Sequence, residues 1–233
     1  MKREWSEKMP RNVEKDIYEE ARRRKQILEA GFRLFSAQGI ENVSMNAVAS
    51  AAGVGPTTLF KYFQTKEKLV VAISGMAWSA VWQEGYAQMG LEQYAQLSAY
   101  EMIRNYTESM IHLYQNQPSL LRFSGNYKTF INRQNLQKEE LKEHLDPLES
   151  IHSVFRIAYQ RAQTDHSIRT DIPEDVLFTT IAIGMLAMAE RYAQGIVWAR
   201  RGEEDHTQEL RIAEEMILSW CKNGNGINNI DSP

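Results

Sequence analysis

Short apolar runs separated by small residues and glycines mark the chain between residues 27 and 70. Apolar residues recur at three- and four-residue intervals from Ile27 to Phe35, the spacing of one face of an α-helix, and Gly39 ends the run. A second run follows Ser44, whose hydroxyl is suited to accept a hydrogen bond from the free amides that open a helix. The pattern therefore predicts two successive helices, with Ser44 capping the second.

A tight turn and a third helix follow. Gly53 is suited to the left-handed conformation that ends a helix, and Pro56 to the first turn of the next one. Leu59 and Phe63 lie four residues apart and are expected to face the core, which turns their neighbours outward. Two short helices joined by a glycine turn predict a helix-turn-helix, a motif whose second helix enters the major groove of DNA.

These residues resemble the tetracycline-repressor (TetR) family of one-component bacterial transcription regulators. That family's pattern has a hydroxyl residue, Ile-Ala, Ala-Gly-Val-Ser, Gly-Thr-Leu-Tyr, an aromatic pair and Lys-Glu-x-Leu. The counterparts in this chain are Ser44, Val48-Ala49, Ala52-Gly53-Val54-Gly55, Thr57-Thr58-Leu59-Phe60, Tyr62-Phe63 and Lys66-Glu67-Lys68-Leu69. The chain departs from this pattern at three positions. Gly55 and Phe60 lack the hydroxyls of the usual Ser and Tyr, which affects the phosphate contacts expected there. Thr57 replaces the usual Gly, which affects the bases that are read.

The resemblance covers about residues 22 to 70 and implies a function for the whole chain. It implies a non-enzymatic regulator of the bacterial cytoplasm, a repressor that binds a palindromic operator in double-stranded DNA as a homodimer. A small-molecule inducer, apolar or aromatic, would release it. We expect phosphate contacts from Arg24, Ser44, Lys61, Tyr62 and Lys66, and base-edge contacts from Thr57 and Thr58.

Charge is distributed unevenly along the chain. Residues 1 to 70 hold 13 Lys and Arg against 9 Asp and Glu, a balance of +4, which leaves −7 for the rest of a chain whose net charge is −3. A basic end on an acidic body suits a protein that touches DNA at one end. The first residues have two readings, a solvated helix extension or a basic arm that reaches the DNA through Lys2, Arg3 and Arg11.

The remaining chain shows no sustained period-two alternation, so the predicted fold class is all-α. After a connecting helix that starts near Lys66 with Thr65 as its cap, helices are expected at 98–117, 120–133, 136–162, 173–201 and 205–222. Pro147 is expected to bend or break the third of these. The predicted domains are a charged extension (1–23), a helix-turn-helix domain (24–70), a helical ligand-binding and dimerisation domain (71–222) and a flexible tail (223–233).

The helix predicted at 173–201 is apolar around most of its circumference. A single neighbouring helix cannot cover all of this apolar surface. We expect it to form a four-helix dimer interface with the last helix and their copies in a second subunit. The alternative is that both helices belong to the core of a monomer. The residues assigned to the interface are Ile181, Gly184, Met188, Ile196, Ile212, Met216 and Trp220.

Aromatic residues crowd the segment between the two ends of the chain. Their plain interpretation is a hydrophobic core, but the resemblance implies that the same helices enclose an inducer, and Tyr and Trp offer apolar walls with a hydrogen-bonding edge. The candidate ligand contacts are Trp82, Tyr106, Phe123, Tyr127 and Tyr159.

Other classes of function have weaker signals. Glu140, His144 and His152 fit one helical face and would suit a metal or a general base, yet the chain has no His-Glu-x-x-His pair, phosphate loop or nucleophile elbow. No catalytic residue, metal or cofactor is therefore expected. The single Cys221 excludes an internal disulfide, and apolar runs of 14 residues are too short to span a bilayer, so no membrane is expected. A protein-interaction module with a structural helix-turn-helix remains the alternative function.

Overall fold

The structure, a computed structural model, describes residues 13–85, 96–195 and 205–222. Throughout these ranges the chain is helical and contains no strand, which confirms the all-α prediction. The helices are α1 (Val13–Gln38), α2 (Met45–Ala51), α3 (Pro56–Phe63), α4 (Lys66–Gly85), α5 (Ala99–Asn116), α6 (Pro118–Ile131), α7 (Lys142–Asp165), α8 (Glu174–Phe178), α9 (Gly184–Ala193) and α10 (Thr207–Lys222). A 3₁₀ turn (Lys138–Leu141) precedes α7, and a π-helical turn (Thr179–Ile183) joins α8 to α9.

Helices α1 to α4 form the N-terminal bundle, and its local signals act as the sequence predicts. The Ser44 hydroxyl accepts a hydrogen bond from the Ala47 amide at 3.1 Å and so caps α2. Gly53 has a φ of +67°, the left-handed conformation that turns the chain towards Pro56 at the start of α3. Helix α1 starts at Val13 and runs without a break across the boundary predicted between residues 23 and 24.

Helix α4 connects two hydrophobic cores. Its first half, including Leu69 and Ile73, is buried in the core of the N-terminal bundle, which Phe123 and Phe130 of α6 complete. Its second half, including Trp78, belongs to a larger core formed with α5 and with the helices from α7 onwards. Because both halves of α4 are buried against different partners, any tilt of this helix changes the packing of both cores.

Helix α7 crosses α4, and Pro147 shapes the crossing. Of the predicted bend or break at Pro147, the break is wrong, because α7 starts at Lys142 and carries Pro147 inside its second turn; the bend stays a prediction. A proline lacks the amide that would bond the carbonyl four residues earlier, here that of Glu143. This carbonyl faces Gly75 of α4, where a Cβ atom would lie 2.2 Å from the Glu143 oxygen. Gly75 therefore allows the two backbones to approach closely.

The apolar segment predicted as one helix over 173–201 is helical without interruption from Glu174 to Ala193, with a π-helical turn between α8 and α9. The helix ends at Ala193, followed by Gly195 with a φ of +68°. The helical end at Ala193 is earlier than predicted because Gly195 adopts the left-handed conformation that terminates helices. Residues 196–201 of the predicted helix, Ile196 among them, lie outside the described residues.

One stretch of the described chain, Glu174–Ala193, is long and apolar enough to cross a membrane by length and composition alone. The sequence-based estimate missed it because it counted uncharged runs and ignored helices with a few charges. Core helices of globular proteins pass the same test, and this one contributes Leu177, Ile181 and Met185 to the larger core.

Candidate DNA-binding surface and ligand cavity

Helix α3 presents two different faces. Leu59 and Phe63 are buried in the N-terminal core, as their spacing predicts. Thr57, Phe60 and Lys61 are exposed, and because they follow each other at i, i+3 and i+4 they form one patch. We call these three residues the α3 patch. It combines a hydroxyl, an aromatic ring and an ammonium group on the helix that a helix-turn-helix inserts into DNA.

Ser44 and Tyr62, also predicted to contact DNA, have partners within the bundle. Ser44 caps α2, which leaves its hydroxyl hydrogen available as a donor. The Tyr62 hydroxyl donates to the carbonyl oxygen of Glu20 in α1 at 3.4 Å, so it braces α3 against α1. Thr58 is half-buried beside the exposed patch. Their contacts with DNA stay predictions.

Arg24 is held by a residue far away in the sequence. Its Nη2 lies 2.7 Å from a carboxylate oxygen of Glu143 in α7, and its guanidinium lies 5.3 Å from the centre of the Phe63 ring. An exposed ion pair of this kind contributes little to stability, yet it fixes where the guanidinium points. Arg24 thus joins α1 to α7, and a phosphate contact from this residue would have to compete with Glu143.

Lys66 is also engaged by the protein. Its Nζ donates to the Glu41 carbonyl oxygen at 3.3 Å and lies 5.9 Å and 5.8 Å from the ring centres of Phe35 and Phe130. Burial lowers the pKa of this ammonium group. Lys66 therefore fixes the start of α4 to the loop before α2, whereas Lys61 points its charge into solvent.

A cavity of about 640 Å³ lies in the larger core, within the size range of small-molecule sites. Apolar and aromatic side chains supply most of its wall, and a few polar groups converge on it. The lining residues are Trp78, Tyr106, Met110, Ser124, Lys128, Lys138, His144, Leu145, Asp146, Leu148, Glu149, Ile151, His152, Phe178, Ala182, Ile183 and Leu186.

Of the five residues predicted to contact a ligand, only Tyr106 lines this cavity. Phe123 and Tyr127 face the other core, where Phe123 packs 5.6 Å from Phe32 between ring centres. The Tyr159 hydroxyl donates to the carbonyl oxygens of Thr170 and Ile172, which holds the chain between α7 and α8. Trp82 packs half-buried against the larger core. These four residues do not line the cavity.

The sequence analysis missed most of the lining residues. Ser124 and Lys128 lie one position after the favoured Phe123 and Tyr127 on α6, and this step of one residue turns them towards the cavity. Trp78 lies one helical turn before the favoured Trp82 on α4. The prediction considered aromatic residues only and passed over the polar residues beside them. The helical phase of α6 was the signal that could have identified Ser124 and Lys128.

His144 links the cavity to α4. Its Nδ1 lies 2.8 Å from the Ser74 hydroxyl oxygen, and its ring packs 4.4 Å from the centre of the Tyr127 ring. Burial, reinforced by the nearby Lys128 ammonium, lowers the pKa of His144 to about 4. The ring is therefore uncharged at neutral pH. The neighbouring Lys128 is itself paired with Glu190 of α9 at 2.9 Å.

The histidines do not form a metal centre with the carboxylates of the described residues. No group of three or more His, Cys, Asp or Glu side chains in residues 13–85, 96–195 and 205–222 has the arrangement of metal ligands. His152 instead bonds Glu174 through Nε2 at 3.1 Å and stacks on Phe178, with 4.2 Å between ring centres. The three residues suggested for one helical face, Glu140, His144 and His152, therefore each bond a different partner.

The predicted dimer interface is partly exposed. Met216 and Ile212 of α10 are 68% and 49% exposed, and Ile183 between α8 and α9 is 50% exposed. Gly184 has open space where a Cβ would lie. Met188 and Trp220 are half-buried, and Arg169 covers one face of the Trp220 ring at 4.6 Å. Ile181, in the π-helical turn, is fully buried within the subunit, and its assignment to the interface stays a prediction.

Comparison with known proteins agrees with this geometry. The family model of bacterial regulatory proteins of the tetR family matches residues 27–73. An HTH-type transcriptional regulator of Staphylococcus aureus strain USA300 is 41% identical over 46 residues, which is 20% of this chain and 25% of that protein. The aligned segment thus spans a quarter of the length of the curated relatives that it matches.

The similarity to solved structures extends over most of the chain. A tetR-family regulatory protein from Rhodococcus RHA1 has a TM-score of 0.62 at 16% identity, covering 85% of this chain and 96% of that one. The regulator FadR from Bacillus subtilis, solved in complex with stearoyl-CoA, has a TM-score of 0.65 at 13% identity and covers 84% and 98%. At sequence identities this low, the structural similarity establishes a shared fold and nothing more.

The fold combines a helix-turn-helix in the N-terminal bundle with a larger helical domain. Residues 27–73 carry the sequence of the tetR family, and the surrounding helices have the fold of its solved members. The chain therefore resembles the tetR family in the sequence of this segment and in its fold.

Proposed function

We propose that this protein is a transcription regulator, a ligand-released repressor that binds a palindromic operator as a homodimer. The observation that carries the proposal is the α3 patch: Thr57, Phe60 and Lys61 are exposed on the second helix of a helix-turn-helix. A major groove admits one α-helix and presents donors, acceptors and methyl groups to its side chains. The proposal places the protein in the bacterial cytoplasm, where its DNA is, and assigns it no catalytic activity.

The proposed ligand is a small molecule with an apolar or aromatic body. Tyr106, Trp78 and Phe178 supply aromatic walls to the cavity, and Ser124 and His144 supply polar groups that would orient a ligand. The structural neighbour from Bacillus subtilis holds stearoyl-CoA, whose long acyl chain is apolar, and this agrees with an apolar ligand here.

The proposed route from ligand to DNA passes through the start of α7. His144 contacts the cavity and bonds Ser74 of α4, while the preceding residue, Glu143, bonds Arg24 of α1. A ligand that displaces this end of α7 would therefore shift both helices that carry the DNA-binding bundle. Ligand and operator would then weaken each other's binding by the same factor, because coupling between two sites is reciprocal.

Dimerisation supports DNA binding in this proposal. Exposed Ile183, Ile212 and Met216 offer an apolar face on α8 to α10, and a two-fold axis through this face would double the contacts with DNA. The proposed domain division follows: residues 24–70 read the DNA, and residues 71–222 bind the ligand and the second subunit. Of the predicted extension (1–23) only residues 13–23 are described, and the predicted tail (223–233) lies outside the described residues.

The test is binding of the full-length protein to DNA that flanks its own gene. Fluorescence anisotropy with random duplex as competitor, repeated over a salt series, separates the two candidate functions. Selective binding that weakens steeply with salt supports the regulator, since phosphate contacts release counterions. An interaction module would show no selectivity for the flanking DNA or for any sequence selected from a random duplex library, and that result would overturn the proposal.

A further inference from the structure

An exposed aromatic ring on α3 has no partner among the described residues. Phe60 is 44% exposed, while Leu59 and Phe63 on either side of it along the helix are buried. The rings of Phe35, Phe63 and Phe130, by contrast, each have an aromatic or cationic neighbour within the described chain. Phe60 therefore presents an apolar surface to whatever α3 meets.

The position of Phe60 in the α3 patch determines what it meets if the proposed function holds. Phe60 follows Thr57 by three residues and precedes Lys61, so its ring shares the face that would enter the major groove. The edges of the bases in this groove are hydrogen-bonding groups, except for one apolar group, the C5-methyl of thymine. A phenyl ring has no donor or acceptor with which to satisfy the other groups.

We infer that Phe60 reads thymine, by packing its ring on the C5-methyl group of one thymine in each operator half-site. This inference rests on the proposed DNA-binding function and adds a specificity-determining residue that the motif alone does not assign. Phe60 contributes no hydrogen bond or charge to the complex. It therefore adds sequence preference without adding to the salt dependence that Lys61 provides.

The size of the effect follows from the area of one methyl group. Burying one such group favours binding by about fourfold, and two symmetric half-sites multiply this to about 15-fold. Replacing thymine by deoxyuridine removes the methyl group and keeps every hydrogen-bonding group of the base pair. This substitution isolates the proposed contact from all others in the groove.

The experiment uses the full-length protein and an operator selected from a random duplex library. Symmetric pairs of thymines are replaced by deoxyuridine one pair at a time, and the affinity is measured for the wild type, Phe60→Ala and Phe60→Leu. We expect one pair at which deoxyuridine weakens the wild type by about 15-fold. At that pair Phe60→Ala is expected to bind both operators equally, and Phe60→Leu to keep part of the preference for thymine.

Lys61→Ala is the matched control, because Lys61 is the exposed neighbour of Phe60 on the same patch. Lys61→Ala should keep the full preference for thymine and reduce the salt dependence. Phe60→Ala should lose the preference for thymine and keep the salt dependence. The inference is overturned if no thymine methyl affects wild-type affinity, or if the methyl preference persists in Phe60→Ala. Failure to select any sequence would instead overturn the proposed function, and this inference with it.

Discussion

The hydroxyl of Ser74 and the imidazole of His144 are hydrogen-bonded across the crossing of α4 and α7, with 2.8 Å between Oγ and Nδ1. Ser74 is fully buried, and His144 also lines the cavity. One residue earlier, Glu143 pairs with Arg24 of α1, and its carbonyl faces Gly75 of α4. Two adjacent residues of α7 thus contact the cavity and both long helices of the N-terminal bundle.

The buried His144 makes stability depend on pH. Its pKa in the folded protein is lowered from 6.5 to about 4, so the unfolded chain binds more protons between these values. Stability is therefore fully present above about pH 6.5 and falls as the pH is lowered towards 4. At pH 5 we expect a loss of about 2 kcal/mol relative to pH 7.5, measured by urea denaturation.

His144→Gln is the variant that tests this assignment, because glutamine does not titrate and keeps a group able to bond Ser74. It should remove about 2 kcal/mol of the pH dependence between pH 7.5 and 5. His112 is exposed on α5, and His112→Gln should leave the dependence unchanged. An unchanged pH dependence in His144→Gln would show that other groups cause it.

The close approach of α4 and α7 at Gly75 predicts a large effect from a small substitution. In Gly75→Ala the new methyl group meets the Glu143 carbonyl, part of the backbone, so the helices must separate. We expect the free energy of unfolding to fall by about 1–3 kcal/mol. Gly31→Ala is the matched control, since its methyl group meets the tip of the Ile73 side chain, which is free to rotate. Equal losses in the two variants would contradict this explanation.

Signals carried by one or two neighbouring residues predicted much of this fold. Ser44 caps its helix as expected, and the φ of Gly53 is positive, because caps and left-handed turns depend on local chemistry. The effect of Pro147 was less predictable. Pro147 lies in the second turn of α7, and the Glu143 carbonyl that it cannot bond lies against Gly75, a residue distant in the sequence.

The cavity depended on helical phase, which residue type alone does not give. On α6, Phe123 and Tyr127 face one core while Ser124 and Lys128 face the cavity. Selecting aromatic residues therefore favoured the wrong face of the right helix. Ile181 and Ile183 show the same limit, because residues two apart lie on opposite sides of a helix, and here Ile181 is buried while Ile183 is exposed.

Lys61 and Lys66 were both expected to contact phosphates, and the structure gives them different surroundings. Lys61 is exposed on the α3 patch, so Lys61→Ala should reduce the slope of log affinity against log salt by about 2, one for each half-site. Lys66 bonds the Glu41 carbonyl and lies near two rings. Lys66→Ala should leave the slope unchanged and lower the free energy of unfolding by about 1 kcal/mol.

Both variants are measured by anisotropy over a salt series and by urea denaturation. A reduced slope in Lys66→Ala, with unchanged stability, would mean that this ammonium leaves Glu41 and binds a phosphate. In that case the contacts seen without DNA would not describe the complex.

Cys221 provides a probe of the C-terminal helix. It is fully buried beside Arg169, and burial raises the pKa of its thiol to about 12. A thiol reagent that absorbs on reaction should therefore modify the folded protein slowly, and one thiol per chain should react at once in denaturant. Rapid reaction under native conditions would show that α10 detaches from the chain around Arg169.

The exposed apolar face of α8 to α10 predicts the oligomeric state. Met216 is 68% exposed on α10, and in the proposed dimer it is covered by the second subunit. Met216→Glu would place a carboxylate in that apolar contact, at a cost of several kcal/mol for an unpaired buried charge. Sedimentation velocity should show a dimer for the wild type and a monomer of 26.9 kDa for the variant.

Ile157→Glu is the matched control, because Ile157 of α7 is also an exposed apolar residue. This variant should remain a dimer, since Ile157 lies outside the proposed interface. A dimer in both variants, with operator affinity unchanged, would place the two-fold axis on another face.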